Sequence, residues 1–417
     1  MVDRYRAVLA TPGCARVFAT ALIGRLPQGM TSLAILLLVR SHTGSYAVAG
    51  VAVGANALAT AAGAPLLGRL VDRFGRRRVL GPSSVLQGLA LAALVLAAGA
   101  GAGGAALVAL AMLAGALMPP IAPAVRALLR DLLPDPGVRE TAYALESVIQ
   151  ELIWMTGPLV VAIVIAVADP ALAVVLCGAV CIAGTLLFIS SPVVRGRGSR
   201  ATVRGASPVL AIAELRTLLG PIFLNGLALG AIEVGLPALA LHAGSRPSSG
   251  LLLALWSVGS MVGGLWYGAR AWHAPLATRY RLLLLAGVLC TAPLIAARTI
   301  PEGLIAALLA GLTIAPVFSC QYALVGRAVP EGVETEAFTW VSSALIGGVA
   351  AGSALGGLAV SEGGVSAPFA LACAVMALAA LTAMRMRVDA DGQPAMTAAR
   401  PAVGATRAPA AGLPDDR

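Results

Sequence analysis

The stretch GRLVDRFGRRRVL, residues 68–80, is a short polar segment between two long apolar runs. It places five arginines and one aspartate in thirteen residues of a chain that is 59% hydrophobic and only 12% charged. Soluble globular domains carry a charge on about a quarter of their residues. A chain that has so few charges and gathers them in short segments is typical of a protein that crosses a membrane several times.

Twelve apolar segments long enough to cross a bilayer follow one another along the chain. A helix of about 20 residues spans the ~30 Å hydrocarbon layer. The segments are continuously apolar and rich in Ala and Leu, whereas the strands of a membrane barrel alternate every second residue, so we expect helices. The predicted spans are 17–39, 46–67, 79–98, 105–125, 141–167, 171–190, 217–241, 250–269, 282–296, 303–325, 337–360 and 365–384.

The distribution of arginine orients these helices. All 29 basic residues are arginines, and the net charge is +10. Only Arg40, Arg246 and Arg298 fall in connections on one side of the membrane, and Arg25 lies within a span; the others fall on the opposite side. The positive-inside rule assigns that opposite side to the cytoplasm. We therefore expect both termini in the cytoplasm, and we attribute the basic excess to topology and not to nucleic-acid binding.

The two halves of the chain resemble each other. A shift of 200 residues aligns 41–70 with 241–270, and a second register near 195 places 141–145 on 336–340 and Gly157 on Gly352. Parallel repeats of six spans are typical of transporters whose halves rock about a central site. The sequence predicts an N-terminal bundle (1–192), a cytoplasmic linker (193–215), a C-terminal bundle (216–386) and a disordered cytoplasmic tail (387–417).

The opening segment resembles the signature loop between the second and third helices of the major facilitator superfamily, G-x-L-a-D-r-x-G-r-k. The matching residues are Gly68, Leu70, Asp72, Arg73, Gly75, Arg76 and Arg77, the last in place of the usual Lys. The resemblance, closest to bacterial drug and metabolite efflux permeases, implies an all-α membrane fold of twelve helices in two six-helix bundles.

The resemblance also implies a role for this loop as a cytoplasmic gate. In the family the first Gly allows close helix packing, the Asp interacts with the start of the eleventh helix, here near Thr335 and Glu336, and the arginines bridge the two halves. We interpret the loop as a latch that favours the outward-facing state. A hydrophilic turn that only enforces topology is the alternative, and it does not explain the spacing of Asp and Gly.

Polar residues inside the spans are candidates for a substrate cavity, because an Arg at the centre of a spanning helix costs roughly 2.5–3.5 kcal/mol. Arg25 in the first span and its repeat mate Asn225 in the seventh lie in helices that line the cavity of the resembled family. The alternative for Arg25 is snorkelling or a structural ion pair. Further cavity candidates are Asn56, Trp256, Gln321 and Trp154. The alternative for these residues is a hydrogen bond between helices.

The fifth span carries two carboxylates, Glu146 and Glu151. Glu151 is the first candidate for a proton site, because desolvation disfavours the charged form of a deep carboxylate. Its alternative is a static pair with Arg25. Glu146 is a further candidate for proton coupling, but it lies nearer the cytoplasmic end, where we expect an interfacial ion pair with Arg126 or Arg139.

Two further features bear on coupling. Glu233 in the seventh span is a second candidate proton site. The pair Gly157 and Pro158 resembles the fifth-helix motif of drug antiporters, but the flanking glycines of that motif are missing. A kink tolerated by neighbouring helices is the alternative for this pair.

These features predict a secondary transporter of small amphipathic organic molecules in the cell (plasma) membrane, with proton-coupled efflux as the first interpretation and uptake as the second. A membrane enzyme is disfavoured, because the three histidines lie at helix ends or in loops and no catalytic or metal-ligand motif appears. A non-transporting sensor or scaffold is a further alternative. We expect no cofactor or metal, and a monomer whose partners are substrate, protons and the lipid bilayer.

Overall fold

The computed structural model describes residues 2–196, 209–245 and 248–384. In these ranges the chain forms helices and no strands. The helices are α1 (Val2–Ala10), α2 (Cys14–Thr43), α3 (Tyr46–Phe74), α4 (Arg76–Gly99), α5 (Gly104–Ala116), α6 (Ile121–Leu132), α7 (Pro136–Val167), α8 (Pro170–Ser190), α9 (Pro192–Gly196), α10 (Ala213–His242), α11 (Ser248–Gly268), α12 (Leu276–Thr291), α13 (Pro293–Ala296), α14 (Ile300–Gly311), α15 (Ile314–Ala328), α16 (Glu334–Gly363) and α17 (Ala367–Ala383). The predicted tail and most of the predicted linker lie outside the described residues.

The predicted membrane fold of twelve helices is confirmed. Eleven helical stretches of the described chain are long and apolar enough to cross a membrane, and α17 is a shorter apolar helix of 17 residues. The first span is α2 and the last is α17; α5 with α6, α12 with α13, and α14 with α15 each make one span. Several helices are longer than predicted from hydropathy, because a helix continues beyond the apolar segment that hydropathy detects.

Two spans are interrupted at corresponding positions in the two halves. The fourth span breaks between α5 and α6 at residues 117–120, where Pro119 and Pro120 remove backbone donors and disfavour helix in the preceding residue. The tenth span breaks at Leu312 and Thr313. Interrupted helices in matched positions are a pointer to the binding region of a transporter. Their inner parts, α6 and α15, are mostly buried.

The hydrophobic core divides into three clusters. The largest joins both halves and includes Leu128 and Tyr143 from the first half with Tyr322 and Phe338 from the second. The other two clusters each belong to one half: one surrounds Met30, and the other includes residues of α10, α11, α14 and α17. Among the described residues, the cluster that the two bundles share includes the end that bears the latch.

Glycine allows a close helix crossing within the first half. A Cβ on Gly157 of α7 would lie 2.4 Å from the carbonyl carbon of Gly29 in α2. In the second half, Gly352 of α16 faces the backbone of Leu227 in α10 just as closely. The repeat mates Gly157 and Gly352 thus occupy equivalent crossings, and Pro158 follows at an exposed position within α7.

We predict that Gly157→Ala lowers the unfolding temperature of the purified chain, because the added methyl meets backbone that cannot move aside. Overpacking of this kind costs roughly 1–3 kcal/mol. Gly54→Ala is the matched control, since nothing lies within 4 Å of a Cβ at Gly54 in α3. There alanine should leave the temperature unchanged or raise it. Equal effects of the two variants would show that the crossing at Gly157 is not tightly packed.

Candidate functional site

The carboxylate of Asp72 joins the second span to the start of the eleventh. Its Oδ1 accepts the backbone N–H of Thr335 at 3.2 Å, and its Oδ2 accepts that of Glu336 at 2.8 Å. First-turn amides lack partners in their own helix and carry the positive end of the helix dipole. The structure therefore places Asp72 as a cap, supplied by the N-terminal half, on a helix of the C-terminal half.

Two arginines of the N-terminal half add ion pairs to the same helix start. Arg69 donates from Nε and Nη2 to the two carboxylate oxygens of Glu336, at 3.0 and 2.9 Å. Arg130 of α6 lies 3.5 Å from the carboxylate of Glu334. Because the Arg69 side chain is 56% exposed, its pair contributes at most about 1 kcal/mol, but its two-point geometry fixes the relative position of α3 and α16.

The two motif glycines shape the latch. A Cβ on Gly68 would lie 2.6 Å from Oγ1 of Thr339, so only glycine lets α3 approach α16 this closely. Gly75 joins α3 to α4 with a φ of +89°, a conformation that side chains disfavour. Glycine at these two positions thus serves packing in one case and the turn in the other.

The other arginines of the motif point elsewhere in the structure. Arg76 lies 3.6 Å from Asp131 of its own half, Arg73 lies over the ring of Phe74, and Arg77 is exposed. The turn at Gly75 starts a new helix, and this directs the side chains of Arg76 and Arg77 away from α16. Among the described contacts, the bridging expected of these arginines is made by Arg69 and Arg130. Sequence reasoning passed over Arg69 because it stands at a variable position of the motif.

A second set of ion pairs joins the two halves on the other side of their interface, which we call the seam. Glu140, at the start of the fifth span, accepts hydrogen bonds from Arg279 at 2.9 Å and from Arg327 at 3.1 Å, both in the C-terminal half. The register of the repeat places Glu140 on Thr335. The beginnings of the fifth and eleventh spans are thus each tied to arginines of the opposite half. The sequence does not point to this set, because the connection between the eighth and ninth spans lacks the aspartate that the motif has between the second and third.

A buried charge cluster lies between the contacts at Asp72 and those at Glu140. Arg25 is wholly buried and donates to Oε2 of Glu146 at 2.7 Å, and Arg126 donates to Oε1 of the same carboxylate at 3.2 Å. Gln150 also accepts a hydrogen bond from Arg25. The ion pair considered above between Arg25 and Glu151 is therefore made by Glu146 instead. Glu146 lies deeper than an interfacial group, because two arginines offset the cost of burying it.

Aromatic side chains close the space between this cluster and the latch. The guanidinium carbon of Arg126 lies 3.8 Å from the ring centroid of Tyr322, which belongs to the tenth span in the other half. Tyr143, Tyr322 and Phe338 form a triangle with ring centroids 6.3 to 6.4 Å apart. This aromatic plug joins the fifth, tenth and eleventh spans across the seam.

Glu151 lies about one and a half turns further along α7 than Glu146 and differs in its surroundings. It is 8% exposed, and the polar side chain beside it is that of Ser260 in α11, which belongs to the opposite half. No ion pair involving Glu151 occurs within the described residues. Glu233, the second candidate, is exposed on α10.

Two of the cavity candidates lie within their own bundles. The side-chain amide of Asn56 donates to the carbonyl of Ala111 at 2.8 Å, which is a hydrogen bond between the second and fourth spans. Asn225 lines a small void of about 10 Å³ with Thr313 and Met376, inside the C-terminal half. The structure thus does not bring Asn225 to Arg25, although the repeat pairs their positions.

The remaining candidates vary in exposure. Gln321 is wholly buried, and neither atom of its amide has a hydrogen-bond partner among the described residues. The indole N–H of Trp256 is likewise buried without one, whereas Trp154 is 51% exposed. The register near 195 places Gln321 at the position of Arg126. The two interrupted spans therefore carry polar groups at matched positions near the seam.

The family model described as "Major Facilitator Superfamily" matches residues 17–295, which is more than half of the chain. No curated protein is significantly similar to the chain in sequence.

Three solved transporter structures share its fold. A bacterial homologue of the iron transporter ferroportin in the outward-facing state has a TM-score of 0.75 at 15% identity, covering 89% of this chain and 98% of that one. The human organic anion transporter MFSD10 (TETRAN) has a TM-score of 0.69 at 18% identity, covering 88% and 99%. The E. coli fucose:proton symporter FucP (N162A) has a TM-score of 0.70 at 12% identity, covering 90% and 98%. At such identities the likeness establishes the fold.

We predict that Asp72→Asn loosens the latch. Asparagine keeps one acceptor oxygen for the two amides of α16 and loses the charge, which costs about 1–2 kcal/mol and changes the ratio of closed to open forms roughly five- to thirty-fold. Spin labels at the exposed positions Arg78 and Glu331, in a chain whose six cysteines are replaced, would report this as a longer distance. Asp135→Asn is the control, since Asp135 caps α7 within one half. Unchanged distances in Asp72→Asn would contradict the assignment.

We predict that Glu146→Gln destabilises the chain far more than Glu151→Gln. Removing the charge of Glu146 leaves Arg25 and Arg126 buried without a counter-charge, and breaking a buried pair costs about 3–5 kcal/mol. Glu151 has no such partner, so its amide should be nearly neutral for stability. Unfolding temperatures of the two purified variants make the comparison, and a similar loss in both would refute the cluster as the structural pair.

Proposed function

Since the chain belongs to the major facilitator superfamily, and is a membrane transporter and not an enzyme, we propose that it exports small organic molecules by alternating access, coupled to protons at Glu151. The superfamily membership rests on the match over residues 17–295 and the fold on its structural neighbours. The coupling to protons, the direction of transport and the class of substrate are what we propose.

The observation that carries the proposal is the contrast between the two carboxylates of α7. Both partners of Glu146, Arg25 and Arg126, belong to the same half as Glu146. They move with it when the halves rock, so its charge stays compensated throughout. Ser260 of α11, a helix of the other half that packs against α7, lies near Glu151, so rocking would change the surroundings of Glu151. A coupling site needs such a change, because a proton must bind in one state and leave in the other.

The contacts between the halves support an outward-facing form as the state described. The latch at Asp72, the pairs at Glu140 and the aromatic plug all lie on the side that the arginines assign to the cytoplasm. The shared core also lies there. The similar ferroportin homologue is in an outward-facing state. Inward opening would therefore have to break the latch and the pairs at Glu140 together.

The side chains of the spanning helices favour an amphipathic organic cargo. Few fixed charges line the spans, and the deepest ones are already paired with each other. Such a site suits amphipathic organic molecules better than sugars or phosphates, which need many hydrogen-bond partners. The structural neighbours are named for an organic anion, iron and fucose with protons, so the fold alone does not select a cargo.

We predict that Glu151→Gln abolishes transport driven by a pH gradient and retains exchange of substrate without a gradient. An amide cannot carry the proton, but it leaves the cavity in place. Proteoliposomes with an imposed gradient and a set of amphipathic dyes provide the measurement, and the sign of the gradient that drives accumulation distinguishes efflux from uptake. Glu362→Gln, at an exposed position of α16, is the control. Gradient-driven transport at the wild-type rate in Glu151→Gln would assign the proton to another group, with Glu233 the next to test.

A further inference from the structure

A pocket of about 330 Å³ opens on the cytoplasmic side of the seam beside Glu140. Its walls come from both halves: α1 and the start of α7 on one side, and the connection 271–275, α12 and the end of α15 on the other. Its polar lining consists chiefly of Arg4, Glu140, Trp272, His273, Arg279 and Arg327.

The charges of this pocket do not balance. Among the described residues that line the pocket, Glu140 is the one carboxylate, and it is already shared by Arg279 and Arg327. The described hydrogen bond of Arg4 goes to a neutral group, the carbonyl of Arg270, at 2.7 Å. Three guanidinium groups therefore face Glu140 and, beside Gly137 at the edge of the pocket, Asp135, which still leaves an excess of positive charge in a concave site. Such a site concentrates anions, and the planar guanidinium matches the oxygens of a phosphate.

Helix α1 holds Arg4 at the pocket by contacts across the seam. The hydroxyl of Tyr5 donates to the carbonyl oxygens of Leu265 at 2.9 Å and Gly264 at 3.3 Å, both in the opposite half. Burial raises the pKa of Tyr5 to about 12, so this hydroxyl remains a donor at physiological pH. Arg4 is thus positioned by packing and does not move freely with the N-terminus.

Tryptophans place the pocket at the level of the lipid headgroups. Trp272 stacks on Tyr267 with ring centroids 5.0 Å apart and meets the edge of Trp266 at 5.5 Å. Trp266 is 41% exposed and carries Arg270 over its ring. Tryptophan is enriched at the membrane–water interface, and basic pockets between helices on the cytoplasmic side bind phosphate headgroups.

We propose that this pocket binds a phosphate-ester anion, with Arg4 and Arg327 as its ligands and Arg279 oriented by Glu140. Because the walls come from both halves, the pocket exists only while the cytoplasmic ends are together. An anion bound there stabilises that conformation by its free energy of binding. The site is separate from the central cluster and from the latch at Asp72, and it would regulate the transporter without touching the cargo.

The test uses the full chain in a neutral detergent with dioleoylphosphatidylglycerol, dioleoylphosphatidylcholine or glycerol 1-phosphate as probes. Retention of lipid by native mass spectrometry and the shift in unfolding temperature are the readouts. We expect phosphatidylglycerol to bind and raise the temperature, and phosphatidylcholine to do neither. Competition by glycerol 1-phosphate would identify a soluble phosphate ester as a ligand, whereas its failure to compete would identify the lipid headgroup.

Arg4→Gln should weaken phosphatidylglycerol binding at least tenfold, and Arg4→Lys should keep part of it because the charge remains. Arg6→Gln is the matched control, since it makes the same change on the same helix at an exposed residue that does not line the pocket. Equal phosphatidylglycerol binding by Arg4→Gln and Arg6→Gln, or equal binding of both lipids by the wild-type chain, would overturn the proposal.

Discussion

Lipid offers no partner for a charge, and this constraint decides how the two bundles meet. The carboxylates of Asp72, Glu140 and Glu146 are each held by opposite charges or by free backbone amides. Glu146 is shared by two arginines inside one half, and Asp72 caps a helix of the other half. The pairs of Glu146 lie within one bundle, whereas the contacts of Asp72 and Glu140 join the two halves. The same chemistry thus holds a bundle together in one place and joins the two bundles in the other.

The two sets of contacts that join the halves are related by the repeat but differ in chemistry. On one side, Asp72 binds the backbone of α16 directly, with Arg69 beside it. On the other, Glu140 at the start of α7 takes two arginines from the opposite half. The position of the contact is inherited from the repeat, whereas the residues that make it have diverged. On the side of Glu140 the described residues also form a pocket lined by Arg4, Arg279 and Arg327.

Hydropathy and one motif were enough to predict the twelve helices and to direct attention to the start of the eleventh, because both depend on short segments read in order. The partner of Arg25 could not be obtained in this way. It depends on how α2 and α7 are rotated and how deeply they sit relative to each other, and this follows from glycine crossings such as Gly29 with Gly157. The repeat does not supply the rotation and depth of the helices either. It pairs the positions of Arg25 and Asn225, but Asn225 lies inside its own bundle.

The rotation of α7 explains why two carboxylates on one helix can have different roles. Five residues separate Glu146 from Glu151, which turns the side chain by about 140° and advances it by about 7.5 Å. One carboxylate is thereby directed to Arg25 and Arg126 in its own bundle, and the other to Ser260 across the seam. A spacing of four would have placed both in the same cluster, where two carboxylates would balance two arginines. The spacing of five leaves Glu151 outside this cluster of charges, at the surface between the two halves.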